Sequence, residues 1–126
     1  MLYIHGGNAE QYKLAQQLFH FCSDSLFPDR GDLTIDLYIQ KVSEALAWTD
    51  HEGHGKFNIE IEDSLETRAF IVTLCHEMIH VSQFLKGKDI SESVAYKFES
   101  KLAHQFYEEE LANRFEESLL DINDSW

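Results

Sequence analysis

The sequence predicts an α+β fold: an N-terminal strand and helix, a small and mostly antiparallel sheet, then two helices. Three observations predict it. Apolar residues recur at three- and four-residue spacing over 9–26, over about 64–86 and again beyond 91, the period of helices buried on one face. Between the first two runs the period switches to two, the signature of half-buried strands. At 126 residues the chain can bury a core of its own, and no repeat or linker divides it, so one domain over 1–126 is expected.

Residues 2–5 read as a short strand ended by Gly6-Gly7. Asn8 is placed to cap a helix over 9–26, in which Leu14, Ala15, Leu18, Phe21, Cys22 and Leu26 share a face. Pro28-Asp29-Arg30-Gly31-Asp32 is turn chemistry. Leu33, Ile35, Leu37 and Ile39 then alternate with Thr34, Asp36 and Tyr38 as a strand. Residues 44–49 are a further strand candidate, and Asp50 to Gly55 read as a hairpin turn. Phe57, Ile59 and Ile61 alternate with polar residues, and that polar outward face reads as an edge strand.

Asp63-Ser64-Leu65-Glu66 has capping-box spacing and opens the second helix, which Gly87 is expected to stop. A third helix starts at Asp89 or Ser91 and runs toward Leu119, with Ala95, Phe98, Leu102 and Phe106 on one face. Phe19, Phe21, Phe98, Phe106 and Phe115 are expected in the core. Cys22 and Cys75 fall in apolar helical contexts and are read as buried free thiols.

The formal net charge of −13 argues against nucleic-acid binding and against an anionic membrane surface, both of which call for a basic face. Solubility is the plain reading of that charge, and a preference for basic partners the sharper one. The N-terminus has no charged leader followed by an apolar stretch, and no segment is long enough to span a membrane, so a cytoplasmic protein is expected. The pattern carries no signal for an oligomeric state.

Chemistry concentrates in the second helix, at His76-Glu77-Met78-Ile79-His80. Residues four apart on a helix lie one above the other, with β-carbons about 5–6 Å apart, so His76 and His80 can aim at one ion. Glu77, one residue round, can reach a water on that ion. Zinc accepts imidazole nitrogen readily, and three protein ligands leave its fourth position open. Ile71, Leu74, Cys75, Met78, Ile79 and Leu85 form an apolar stripe, while Thr73, His76, Glu77, His80 and Gln83 share the other side. The bland alternative is a solvated polar face that holds two histidines. A third ligand is expected downstream, from Glu92 or Glu99, seven residues apart on one helix face. A simple antiparallel helix pair places Glu99 opposite the histidines, and Glu92 reaches them only if the helices cross or the chain turns early.

These residues carry a resemblance. His76-Glu77-x-x-His80 following a strand resembles the zincin metallopeptidases, and Glu92-Ser93-Val94-Ala95 resembles the gluzincin pattern, in which the third zinc ligand is a glutamate three residues before a small residue. The stretch from His76 to Glu99 is similar to minimal metallopeptidase-like domains often encoded by phages, which pair H-E-x-x-H-x-x-Q-x-x-x-G with a later Glu-x-x-Ala helix. Gln83, Gly87, Glu92, Ala95, Tyr96 and Glu99 match it, whereas the segment between His80 and Glu92 is short and Val94 stands where many members have an acid.

The resemblance implies Zn2+ held by His76, His80 and Glu92, with Glu99 as the alternative third ligand. It implies Glu77 as general base and a peptide or protein as substrate. It also implies that an extended substrate adds to the edge strand ending near Glu62. Tyr96, His104 and Tyr107 are candidate oxyanion donors, each with ordinary packing or exposure as its plain role.

Two other functions compete with a peptidase. One is a zincin-like module that binds a protein without cutting it. The other is a carboxylate-bridged di-iron site, because Glu77-x-x-His80 is half of such a motif; the second Glu-x-x-His is missing from the sequence. His51 and His54 read as exposed turn residues.

Overall fold

Four strands and three helices form in the order β1 (Leu2–Gly6), α1 (Ala9–Leu26), β2 (Thr34–Gln40), β3 (Ala47–Gly53), β4 (Lys56–Glu62), α2 (Thr67–Leu85) and α3 (Glu92–Asp124). The computed structural model describes residues 1–27 and 32–124, and from 111 onward the backbone alone. The turn expected at 28–32 falls almost wholly outside the described residues, as does the side chain of Phe115.

The α+β class is as the periodicity predicts; the strand pairing is not. The sheet order is β1-β2-β4-β3. β1 pairs with β2 and β2 with β4 in parallel, and the β3–β4 pair is antiparallel, so the sheet is mixed and not mostly antiparallel. β4 is inserted between β2 and its hairpin partner β3, which sets it parallel to β2, and the matching of buried faces favours that place. Ile35, Leu37 and Ile39 of β2 stand opposite Phe57, Ile59 and Ile61 of β4, and all six are buried. Such matched rows remove the most apolar surface from water, each fully buried side chain contributing about 1.5–3 kcal/mol. β3 is mostly exposed along its length and is left to the margin.

β4 is therefore an interior strand, and the edge beside α2 is β3. The polar outward residues of β4, Asn58 and Glu60, report a sheet covered by helices on one face only. The β3–β4 hairpin closes at His54-Gly55, both with positive φ (55° and 74°), and β3 runs on to Gly53 through the residues expected to be a turn. Two positive-φ residues make the tight connection that matches strand twist.

α1 and α2 lie on the covered face. Ala15, Leu18 and Cys22 of α1, and Phe70, Ile71, Leu74, Cys75 and Met78 of α2, are buried with the β2 and β4 rows. Cys22 and Cys75 are free buried thiols, and their mutual hydrogen bond together with burial pushes the Cys22 thiol up. α1 starts as expected: Asn8 accepts from the Gln11 N–H at 2.8 Å while Gln11 accepts from the Asn8 N–H at 2.9 Å. Gly6 must be glycine, since at φ 79° an added Cβ would stand 2.4 Å from the Ile39 carbonyl oxygen.

α2 starts later than its capping-box spacing predicts, with Glu66 as N-cap and no side-chain cap bond. The preceding residues are held instead by Glu62. Its carboxylate accepts from the Ser64 N–H and hydroxyl and from the Val42 N–H, at 2.8–3.0 Å. These bonds hold the Glu62 carboxyl at about 2 and tie the 41–46 connection to the approach of α2. The third helix buries Ala95, Leu102 and Phe106, the last against Phe21 of α1, but Phe98, expected in the core, is 43% exposed. Among the described residues, no helix is long and apolar enough to cross a membrane.

Candidate metal centre

α2 places His76 and His80 one turn apart, with ring centroids 4.7 Å from one another and the rings nearly perpendicular. Both are buried, as is Glu77 between them. What covers them is the start of α3, and the covering depends on how α2 stops. The Lys88 N–H bonds to the Gln83 carbonyl and the Gly87 N–H to the Phe84 carbonyl, the paired bonds of a Schellman motif, with Gly87 at φ 67°. The chain reverses at once, and α3 opens on Glu92.

That early turn separates the two glutamates. Glu92 Oε2 lies 3.0 Å from His76 Nε2, and Glu92 Oε1 lies 2.8 Å from His80 Nε2. Glu99, two turns further on, meets His76 on its other nitrogen, Nδ1, at 2.8 Å. It touches His76 and not His80. The His80 Nδ1 is held in the same way by Gln83 Oε1 at 2.9 Å. Gln83 also donates to the Ser91 carbonyl and accepts from the Ser91 N–H, both at 3.2 Å, which anchors the residue just before Glu92. Each imidazole thus has its Nδ1 fixed from behind and its Nε2 turned toward Glu92. Outer partners of this kind set the tautomer and aim of a metal-binding histidine.

The residues present fit a metal ion. One ligand atom each from His76, His80 and Glu92 lies within 4.8 Å of the others. His80 Nε2 is buried and, although close to Glu92, has no hydrogen bond of proper geometry. A buried nitrogen left in that state calls for another partner, and an ion between the three groups supplies one. Two imidazoles and a carboxylate are a donor set that zinc accepts while keeping a position open.

Glu77 stands beside this group without joining it. Its Oε1 accepts from the Thr49 hydroxyl at 2.8 Å, a bond from the edge strand β3. Burial pushes the Glu77 carboxyl above the usual carboxylate range, against the lowering effects of Thr49, His76 and His80. The whole arrangement floors a cleft of about 620 Å³, walled by β3 on one side and α3 on the other. Leu46, Trp48, Ile90 and Tyr96 expose large apolar surfaces around it.

Of the candidate oxyanion donors, Tyr96 alone is at the cleft, its ring 4.8 Å from that of His76. His104 pairs with Glu108 on an exposed face, and Tyr107 packs on Phe106; neither lines the cleft. His51 stacks on Phe57 and His54 sits in the hairpin turn, so they form no second site with one another. Thr49 was not legible in the sequence, because a threonine in a short exposed strand carries no signal for a distant carboxylate. Gln83 was legible in part, standing three residues after His80 on the same helix face.

No protein-family model matches the chain, and neither does any curated protein or solved structure.

Proposed function

We propose that this chain is a zinc-dependent peptidase, with His76, His80 and Glu92 as metal ligands and Glu77 as general base. The observation that carries the proposal is the convergence of the two Nε2 atoms on the Glu92 carboxylate, with Glu77 held by Thr49 in the same cleft. Held by these three residues, zinc would supply a Lewis acid able to polarise a carbonyl and to lower the pKa of water to about 7. Glu77 is then the base that accepts a proton from the attacking water and delivers it to the leaving amine. Its burial and the Thr49 bond keep the carboxylate in one place for both transfers. Glu99 and Gln83, bonded to the two Nδ1 atoms, hold the imidazoles in register. An extended peptide would meet the edge strand β3, where backbone groups are free to pair.

The test is metal analysis of the purified and zinc-reconstituted protein together with a Glu77→Gln variant assayed on unfolded protein substrates. One zinc per chain in both forms, with cleavage by the wild type alone, is the expected result. Failure to bind zinc overturns the proposal, and so does stoichiometric iron, which the same donor set also serves.

A second reading, a protein-binding module that does not cut, is favoured by the exposed Leu46, Trp48, Ile90 and Tyr96 around the cleft. Wild type and Glu77→Gln would then capture a partner equally and cleave nothing.

A further inference from the structure

A second concavity lies on the other side of the α2–α3 junction. It encloses about 480 Å³ and shares no lining residue with the metal cleft. Most of its exposed surface is apolar, from Ile79 of α2 and Val94, Phe98 and Leu102 of α3, with serine and glutamine side chains between them. Val94 and Phe98 are 40% and 43% exposed, so an apolar surface is left open to water. Its rim is basic. Lys86, Lys88 and Lys101, three of the chain's seven lysines, line it, against one carboxylate, Asp89, among the described residues.

That charge runs against the rest of the molecule, which has 23 acidic and 10 basic residues. Among the described residues none of the three lysines is ion-paired with an acid, whereas Lys56 is paired with Glu52. Three unpaired ammonium groups around an apolar hollow raise the local potential for an anion in a chain that otherwise repels anions. A volume of this size is in the range of small-molecule sites, about 300–1,000 Å³.

We propose that this groove binds an aliphatic carboxylate, the chain lying on Ile79, Val94, Phe98 and Leu102 and the carboxylate among Lys86, Lys88 and Lys101. Apolar burial supplies affinity, and the lysines select the sign of the head group. The proposal is independent of any activity at the metal cleft.

The experiment titrates dodecanoate, below its micellar range, into the metal-free full chain, followed by calorimetry and by amide NMR shifts. Saturable binding of one dodecanoate per chain is expected, with shifts at Ile79, Val94 and Phe98 and none at Trp48 or His76. Lys86→Glu combined with Lys101→Glu should weaken binding at least tenfold. Phe98→Ser, at a half-exposed position the fold tolerates, should do the same. Dodecyltrimethylammonium should not saturate the site. Equal binding of that cation, shifts confined to the metal cleft, or no saturable binding would each overturn the assignment. So would displacement of dodecanoate by an acidic amphipathic peptide at far lower concentration, which would make the groove a protein-docking surface.

Discussion

Replacing Glu99 by alanine separates a positioning role from a ligand role at the proposed metal centre. Glu99 Oε2 is 2.8 Å from His76 Nδ1, and its side chain is only 18% exposed, so the bond is charge-assisted and poorly replaced by water. Such bonds contribute about 1.5–3 kcal/mol. At 1.4 kcal/mol per tenfold in Kd, the zinc affinity of Glu99→Ala should fall roughly 10–100-fold, the range seen when outer-shell partners of a ligand are removed. Glu92→Ala removes a donor that meets both imidazoles and should cost more than Glu99→Ala. The assay is competition against a chromophoric chelator at pH 7.5, with far-UV circular dichroism to check that each apo variant is folded. Glu99→Ala within threefold of wild type would refute the positioning role. If Glu99→Ala lost more affinity than Glu92→Ala, the ligand assignment itself would be reversed.

Other outcomes follow from the same geometry. Thr49→Val strands a buried Glu77 oxygen and should cost about 1–2 kcal/mol in urea unfolding. In a double-mutant cycle with Glu77→Ala, which removes the acceptor, the two effects should be non-additive. Glu62 has a folded pKa of about 2, below its ordinary value near 4.3, so its contribution is full above that ordinary value and drains away as pH falls toward 2. The gap in urea midpoint between wild type and Glu62→Gln should therefore be constant from pH 7 to 5 and close between about pH 4.5 and 2. Gly87→Ala forces a Cβ into the left-handed region with no clash around it, so strain alone should cost about 1 kcal/mol, and Gly87→Asn should cost less. Zinc at 100 times Kd should raise the unfolding free energy by about 2.7 kcal/mol, and His80→Ala should abolish that gain.

Much of this architecture depends on neighbours along the chain and was open to reading from it. Asn8 and Gln11 cap α1 because both partners lie within one turn. The rows Ile35-Leu37-Ile39 and Phe57-Ile59-Ile61 are strands because the period of two needs no information from elsewhere. His76 and His80 share a helix face by the pitch of the helix alone, and Gly87 stops α2 through bonds to residues a turn away. What depended on distant partners was decided by the tertiary structure. β4 sits beside β2 because their buried rows match, and it runs parallel to β2 because it is inserted between β2 and its hairpin partner β3, which no local pattern announces. β3 became the edge because it had least apolar surface to bury. Phe98 is open because α3 turns it toward the lysine-rimmed groove and not toward the sheet. The choice between Glu92 and Glu99 was the same kind of question. Both stand on one face of α3, and only the abrupt reversal at Gly87, with Gln83 pinning Ser91, brings Glu92 to the two Nε2 atoms and leaves Glu99 behind the His76 ring. The residue types and their spacing carried the chemistry of the site. Which oxygen meets which nitrogen was set by the turn between two helices, because a change of one or two residues there moves a helix face by a large part of a turn.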